Sequence, residues 1–232
     1  MTDRRPPDTT LMTTASPSSI EALERLEVPL LVLLGGATGT GKSTVATEVA
    51  HRLGITRVTS TDVVRQTMRA FFSREFMPSI HYSSFDAGPS LSTDDPEADP
   101  VLLGFLEQTR NVLVGVRAVL ARALEEGYSL ALEGVHLVPG MIPPVDGAVF
   151  CQVLLAIEDE EEHASHFWTR GAEGLRPFEK YLSALPDIRR VQDYLVARAA
   201  KAHVPVIENT SIDTTVDHVI GLVLAEVERV RG

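Results

Sequence analysis

Residues 30–44, LLVLLGGATGTGKST, decide the fold of this chain. The first five residues are apolar, as is typical of a strand buried in a parallel sheet. A glycine-rich loop follows and satisfies the pattern G-x-x-x-x-G-K-[ST] from Gly36 to Ser43. Helix-compatible sequence then continues to Leu53. This order of strand, phosphate-binding loop and helix predicts an α/β domain and disfavours the alternative, a glycine-rich turn that matches by chance.

The residue types of the loop fit phosphate chemistry. Glycines let the backbone turn tightly, so that its N–H groups can point at phosphate oxygens. Lys42 supplies a positive charge to the outer phosphates, and the Ser43 hydroxyl is the expected metal ligand. We therefore expect ATP and Mg²⁺ as cofactors. The residues assigned to nucleotide binding are Gly36, Thr38, Gly39, Thr40, Gly41, Lys42, Ser43 and Thr44.

The composition limits the partners of the chain. At a net charge of −11 over 232 residues, a nucleic acid is a poor partner, because binding to a phosphate backbone rests on basic surface. A small anionic substrate is compatible with this charge. The single cysteine, Cys151, excludes a disulfide within the chain and fits a reducing compartment. We expect a cytoplasmic protein without a membrane partner, since no apolar run reaches the roughly 20 residues that span a bilayer. The sequence indicates no oligomeric state.

The rest of the chain is organised as one domain. Residues 1–17 are polar and lack periodicity, which predicts a disordered tail, whereas residues 18–232 suit a single unit. Short strands alternate with helices, so we predict an α/β, P-loop kinase-like three-layer fold with a five-stranded parallel sheet and an α-helical lid over about residues 159–190. The predicted strands are 30–34, 56–60, 128–132, 148–157 and 204–207; the predicted helices include 43–53, 62–72, 100–126 and 216–231.

Two acidic residues follow predicted strands. Asp62 lies just beyond strand 56–60, and Glu133 just beyond strand 128–132. Because the carboxyl ends of parallel strands meet at one edge of the sheet, both are expected near the phosphate loop. Asp62 would orient or deprotonate an acceptor hydroxyl, or hold Mg²⁺ through water; the alternative is that Thr61 or Asp62 only caps a helix. Glu133 would be a metal ligand or the base itself, so the sequence leaves the base open.

Four residues are candidates for binding the acceptor. Arg65 and Arg69 share one face of a helix at four-residue spacing and would clamp an anionic substrate, unless that face is solvated. His81 lies in the long irregular stretch 73–100, which is typical of a binding loop but also fits a packed aromatic turn. His136 follows Glu133 and either contacts substrate or is a hydrogen-bonded loop histidine.

Arginines are concentrated in the predicted lid. Arg170 and Arg176 flank glycines between two helices, where a lid could bring positive charge to the transferring group. Arg189 and Arg190 fit solvated or ion-paired positions equally well. His163 and His166 have the spacing of metal ligands, but no third ligand type lies nearby, so we assign them a structural role.

Several motifs together resemble those of a known family. They are GGATGTGKST at 35–44, STD at 60–62 followed by Arg65 and Met68-Arg69, HYSSF at 81–85, EGVH at 133–136 and VPVIENT at 204–210. On these motifs the chain resembles the 2-phosphoglycerate kinase family from about residue 30 to its end. The resemblance implies ATP-dependent phosphorylation of a hydroxyl on 2-phosphoglycerate, giving 2,3-bisphosphoglycerate.

The expected mechanism is in-line transfer of the γ-phosphoryl group. Lys42, Asp62, Glu133, Arg170 and Arg176 are the expected catalytic residues, and Ser43 is the expected metal ligand. One alternative is a kinase of another small hydroxyl compound, such as a sugar acid, a nucleoside or a nucleotide sugar. Another is a nucleotide-responsive regulatory ATPase.

Overall fold

The computed structural model describes residues 26–91, 98–172 and 178–231, with the backbone alone at 168–172, 178 and 231. The predicted tail, residues 1–17, lies outside the described residues. The same is true of Arg176 and, for its side chain, of Arg170.

Five strands form one parallel sheet. The strands are β1 (Leu30–Gly36), β2 (Val58–Ser60), β3 (Leu130–Glu133), β4 (Val149–Ala156) and β5 (Val206–Glu208). Their order across the sheet is β2-β3-β1-β4-β5, so the strand that leads into the phosphate loop is central. The predicted five-stranded parallel sheet is confirmed. Its strands end together at one edge, and that edge carries the candidate site.

Seven helices lie within the described ranges. They are α1 (Lys42–Arg52), α2 (Thr61–Phe71), α3 (Pro100–Glu125), α4 (Glu160–Ala172), α5 (Phe178–Ser183), α6 (Leu185–Ala202) and α7 (Ile212–Arg231). Asp99 caps α3 by accepting from the N–H groups of Val101 and Leu102, and Pro100 is the first helical residue. Helix α7 begins at Ile212, about one turn before the predicted start at residue 216.

The two faces of the sheet bury separate sets of apolar side chains. Alternate residues of β1 point to opposite faces, as strand geometry requires. Val32 and Leu34 pack with α1 and α7, whereas Leu31 and Leu33 pack with α3. All seven residues of β1 are buried. This double packing fixes the end of β1, and therefore the start of the phosphate loop, relative to the helices on both faces.

Two further expectations concern membranes and redox chemistry. Within the described ranges, every helix falls short of the length and apolarity that crossing a bilayer requires. Cys151 is a free, buried thiol in β4, and burial raises its pKa to about 12. The thiol is therefore protonated at physiological pH and unsuited to nucleophilic chemistry.

Candidate active site

A cleft of 440 Å³ opens where β1, β2 and β3 end. One wall is the phosphate loop with Lys42 and Ser43; the opposite wall carries Asp62 and Arg65, and Glu133 lies in the lining as well. We call these the donor wall and the acceptor wall. The sequence placed the loop and both acids at one edge of the sheet, and the structure brings all of them to the same cleft.

The donor wall depends on a tight backbone turn. Gly36 has a φ of +146°, and a Cβ atom there would lie 2.5 Å from the Leu155 carbonyl oxygen. No side chain fits at this position. The Lys42 side chain is 8% exposed, and its Nζ donates to the Ala37 carbonyl oxygen at 2.7 Å. The amine is thus held at the loop, close to where outer phosphates would bind.

Ser43 and Glu133 face each other across the floor of the cleft. The Ser43 hydroxyl donates to Glu133 Oε1 at 3.0 Å, although 90 residues separate the two in sequence. The described residues contain no cluster of three or more His, Cys, Asp or Glu side chains that could hold a metal. Mg²⁺ accepts one or two protein oxygens when phosphates and water supply the rest, so this pair fits it. Thr44 lies in the first turn of α1, is exposed and does not line this cleft.

Asp62 stands at the start of α2 on the acceptor wall. Ser60, rather than Thr61 or Asp62, caps this helix, because its hydroxyl accepts from the Val63 N–H. The Asp62 carboxylate is therefore available to the cleft, with 55% of its side chain exposed. It accepts from Arg65 Nε at 3.3 Å.

The charges around Asp62 set its protonation state. Partial burial raises the pKa of Asp62, but the positive charges of Arg65 and Lys42 and the hydrogen bond from Arg65 outweigh that effect and lower it below the usual value. The carboxyl is consequently ionised at neutral pH and acts as a hydrogen-bond acceptor.

Arg65 is fixed by the segment that closes the acceptor wall. Its Nη1 donates to the carbonyl oxygens of Ile80 at 3.0 Å and Tyr82 at 2.8 Å, and its side chain is nearly buried. The same two-pronged contact holds residues 80–82 against α2. Arg65 therefore combines a structural role with a charge that faces the cleft.

A buried polar chain supports this wall from behind. His136 Nε2 lies 2.9 Å from Gln108 Oε1, and Thr61 Oγ1 lies 2.8 Å from His136 Nδ1. The Gln108 amide nitrogen donates to the carbonyl oxygens of Ser79 and Tyr82, so its oxygen faces the imidazole. His136 Nε2 then carries the hydrogen, and Nδ1 accepts from Thr61. Burial lowers the pKa of His136 to about 3, so the ring is neutral.

This arrangement corrects the prediction that His136 contacts substrate. The side chain is 0% exposed, and both ring nitrogens already have protein partners. The alternative weighed for it, a hydrogen-bonded histidine, is the one that the structure contains. Its place in the site is to hold Thr61, the residue before Asp62.

Comparison with known proteins identifies the family. No protein-family model matches the chain. The chain is 41% identical to the 2-phosphoglycerate kinase of Thermococcus kodakarensis over 206 aligned residues. The alignment covers 89% of this chain and 70% of that protein. The chain belongs to the 2-phosphoglycerate kinase family. The relative from Methanothermobacter thermautotrophicus is 43% identical over 203 residues, or 85% of this chain and 66% of that protein.

The chain is shorter than its relatives in the 2-phosphoglycerate kinase family. It spans between 62 and 70% of the length of the first four of them. A solved gluconokinase from Sinorhizobium meliloti 1021 is also similar, with a TM-score of 0.45 and 14% identity over 88% of this chain and 94% of that chain. A dephospho-CoA kinase from Campylobacter jejuni has a TM-score of 0.42 and 13% identity, over 87% of this chain and 98% of that chain.

Two of the other predicted acceptor residues lie away from the cleft lining. Arg69 is exposed and donates to Gln66, one turn along α2 from Arg65. His81 is half-buried, and its Nε2 lies 3.0 Å from the Phe72 carbonyl oxygen. Among the four residues predicted to bind acceptor, Arg65 alone lines the cleft of this member of the 2-phosphoglycerate kinase family.

The acceptor wall also contains side chains that sequence reasoning missed. Ser83, Ser84 and Phe85 line the cleft, together with Tyr181 from α5. Lys180 Nζ lies 3.4 Å from Ser83 Oγ. The signal for the first three was present, because they lie within the long irregular stretch and the HYSSF motif. Nothing in the sequence pattern pointed to Lys180 or Tyr181.

The described arginines of the predicted lid bind protein groups. Arg189 donates to the carbonyl oxygens of Ile157 at 2.9 Å and Glu158 at 2.7 Å, which fixes α6 to the end of β4. Arg190 pairs with Asp187 and, at 4.0 Å, with Asp99. The two histidines assigned a structural role, His163 and His166, contact the phosphate loop itself.

Proposed function

We propose that this protein transfers the γ-phosphoryl group of ATP to the free hydroxyl of 2-phosphoglycerate, giving 2,3-bisphosphoglycerate and ADP. The observation that carries the proposal is the single cleft in which the phosphate loop, the Ser43–Glu133 pair and the Asp62–Arg65 pair meet. Membership of the 2-phosphoglycerate kinase family supports the choice of acceptor. Such a site needs a donor half, a metal position and an acceptor half, and each has residues of suitable chemistry.

The donor half holds ATP through backbone and charge. The loop N–H groups and Lys42 would bind the phosphates, because a glycine-rich turn at a helix N-terminus favours anions. Lys42 is a positive group in a sheltered position, where electrostatic interactions are stronger than in bulk water. Its role is to stabilise charge that develops on the transferring group.

Ser43 and Glu133 are the residues that would hold Mg²⁺. Their oxygens are adjacent and hydrogen-bonded, as expected of two groups that can share one hard cation. When bound, Mg²⁺ would neutralise charge on the phosphate oxygens. This assignment leaves Asp62, rather than Glu133, as the group for the acceptor hydroxyl.

Asp62 would orient the attacking hydroxyl. In the proposed step, the hydroxyl oxygen forms a bond to the γ-phosphorus and the bond from that phosphorus to the β,γ-bridging oxygen breaks. ADP keeps the electron pair, and the hydroxyl proton passes to the Asp62 carboxylate. A carboxyl with a lowered pKa is a weak base, but phosphoryl transfer demands positioning more than strong basicity.

The cationic and hydroxyl groups of the acceptor wall suit an acceptor that carries two anionic groups, a phosphate and a carboxylate. Arg65 faces the cleft beside Asp62, and Lys180 reaches Ser83 at its rim. The hydroxyls of Ser83 and Ser84 add hydrogen-bond donors, which can bind phosphate or carboxylate oxygens. These groups give local positive charge in a chain whose net charge is −11. We propose them as the acceptor site, in place of Arg69 and His81.

The test is product identification. Purified protein would be incubated with ATP, Mg²⁺ and 2-phosphoglycerate, and the products analysed by ³¹P NMR and mass spectrometry. We expect one equivalent of 2,3-bisphosphoglycerate for each ADP released. 3-Phosphoglycerate, glycerate, gluconate and a nucleoside serve as competing acceptors. Faster turnover with one of these would reassign the acceptor, and ADP release that no acceptor stimulates would favour a regulatory ATPase.

A further inference from the structure

The phosphate loop is held through its carbonyl groups, three of which accept from side chains outside the loop. Four consecutive carbonyl oxygens, those of residues 37–40, accept hydrogen bonds from side chains. The donors are Lys42 Nζ and Thr40 Oγ1 to Ala37, His163 Nε2 to Thr38, His166 Nδ1 to Gly39, and Asn209 Nδ2 to Thr40. Two of these donors come from α4, the helix that begins the predicted lid.

The two histidines must each carry a hydrogen on the nitrogen that faces the loop. A carbonyl oxygen can only accept, and the distances are 2.8 Å from His163 Nε2 to Thr38 O and 2.9 Å from His166 Nδ1 to Gly39 O. His163 is fully buried, and its Nδ1 has no hydrogen-bond partner among the residues that the structure describes. The hydrogen of His163 therefore lies on Nε2, and the ring is neutral.

These bonds orient the loop N–H groups. In a trans peptide the N–H of the next residue points away from the carbonyl oxygen. Fixing Thr38 O and Gly39 O on α4 therefore directs the N–H groups of Gly39 and Thr40 away from that helix. The Thr40 N–H accordingly points into the turn, where it donates to the Ala37 carbonyl oxygen at 3.4 Å. That inner side is where phosphate oxygens bind in such loops.

Packing reinforces the contact between α4 and the loop. Gly39 has a φ of +93°, and a Cβ there would lie 2.5 Å from Phe167 Cζ and 2.9 Å from His163 Nε2. The Phe167 ring stacks between His163 and Tyr181, with centroid distances of 5.6 and 5.4 Å. Tyr181 lines the cleft. The histidines thus pack within the wall of the cleft, next to Tyr181.

We propose that His163 and His166 are positioning residues for nucleotide binding. Without touching the nucleotide, they hold the loop carbonyls outward so that the amides face the phosphates. Asn209 does the same from the opposite side, where Thr215 fixes its amide by donating to Oδ1 at 2.8 Å. This inference rests on the proposed function, in that the loop binds ATP, and it assigns a role to two residues whose sequence pattern suggested packing alone.

Side chains of matched shape can test the hydrogen bonds. Glutamine places an amide nitrogen near the position of His Nε2, and methionine has a similar shape without a donor. Asparagine and leucine form the same pair for His Nδ1. The donor-retaining double variant is His163→Gln/His166→Asn, and the donor-lacking one is His163→Met/His166→Leu.

Affinity for Mg·ADP, measured by isothermal titration calorimetry, is the main readout. We expect the donor-lacking variant to bind about 10- to 30-fold more weakly than the wild type, as the loss of two buried hydrogen bonds implies. The donor-retaining variant should stay within about threefold. KM for ATP should follow the same pattern, whereas KM for the acceptor should change less than about twofold.

Two outcomes would overturn the proposal. One is wild-type Mg·ADP affinity in the donor-lacking double variant. The other is the same loss in both double variants, which would mean that shape rather than hydrogen bonding matters. If the donor-lacking double variant does not fold, the single variants His166→Leu and His166→Asn are compared instead, since His166 is only half-buried. Equal affinity of these two variants for Mg·ADP would then overturn the proposal. The titration needs no acceptor, so it stays valid if 2-phosphoglycerate is not the substrate.

Discussion

The donor wall and the acceptor wall of the cleft are built in different ways. The donor wall is a run of consecutive residues, proposed to bind phosphate through backbone N–H groups and Lys42, and side chains from elsewhere hold its carbonyl groups. The acceptor wall is assembled from α2, residues 80–85 and α5, and its side chains face the cleft. A buried chain of Thr61, His136 and Gln108 joins α2 to residues 79–82.

This difference separates recognition of the two substrates. In the proposed function, the nucleotide phosphates would bind mainly to backbone N–H groups, so binding at the donor wall would depend on the conformation of the loop. The acceptor would bind to particular side chains, so binding at the acceptor wall would depend on which residues stand there and on the buried polar chain that supports them. Substitutions on the acceptor wall should therefore change which acceptor is preferred without changing the preference for the nucleotide. This holds as long as every polar group of the buried chain keeps its hydrogen-bond partner.

The largest effect on activity should come from removing the charged side chain of the donor wall, that of Lys42. Lys42→Ala removes the amine that lies at the loop and should lower kcat by about 10³-fold or more, because charge stabilisation is the main catalytic term in phosphoryl transfer. Steady-state kinetics measure this, and circular dichroism checks that the fold persists. Activity near the wild-type level would remove Lys42 from the chemistry.

The acceptor wall should lose less when its acid is neutralised. Asp62→Asn keeps the size of the side chain but removes the charge, so we expect kcat to fall by about 10²-fold while KM for ATP stays unchanged. Varying each substrate in turn separates these constants. A change confined to KM for the acceptor would assign Asp62 to binding instead of proton transfer.

Lowering the pH should reduce the free energy of unfolding, because buried histidines lie behind both walls. Burial lowers the pKa of His136 to about 3 and of His163 to about 4, so between those values and the ordinary 6.5 the unfolded chain binds protons that the folded protein does not. Stability is therefore lost as the pH falls from 7 to 5, by about 2 kcal/mol for each histidine. Urea unfolding at the two pH values measures this loss.

A variant isolates one of these contributions. His136→Gln retains hydrogen-bonding groups but does not titrate, so its loss of stability between pH 7 and 5 should be smaller than that of the wild type by about 2 kcal/mol. An equal loss in both proteins would show that protonation of His136 does not drive the effect.

The smallest effect should mark the outer limit of the acceptor wall. Arg69 is exposed and hydrogen-bonded to Gln66, so Arg69→Ala should change KM for the acceptor by less than about twofold. Arg65→Ala is the contrasting variant, since Arg65 lines the cleft and holds residues 80–82. A tenfold rise in KM for the acceptor in Arg69→Ala would show that the acceptor wall includes the next turn of α2.

The donor wall could be predicted from sequence because it is local. Strand, loop and helix follow one another, and the glycines report the turn directly. The Ser43–Glu133 contact was also within reach, since parallel strands end at a common edge and this fixes residues that are far apart in sequence. Asp62 was placed by the same rule.

The acceptor wall could be predicted only in part. A spacing of four residues puts Arg65 and Arg69 on one face of α2, but only Arg65 donates to the carbonyl oxygens of Ile80 and Tyr82 and lines the cleft. No sequence pattern states where that segment folds back. The histidines illustrate the same limit. The surroundings of His136, His163 and His166 in the sequence do not indicate their partners, which lie 28 to 127 positions away.

The hydrogen bond between Ser43 and Glu133 also links ligand binding to folding. It joins positions 90 residues apart, so the proposed metal position would exist only when β3 has docked beside β1. A nucleotide that binds there selects the completed sheet over any partly unfolded form. At 100 times its dissociation constant, such a ligand would add about 2.7 kcal/mol to global stability. Amide exchange in β3 should slow accordingly, although β3 does not belong to the phosphate loop.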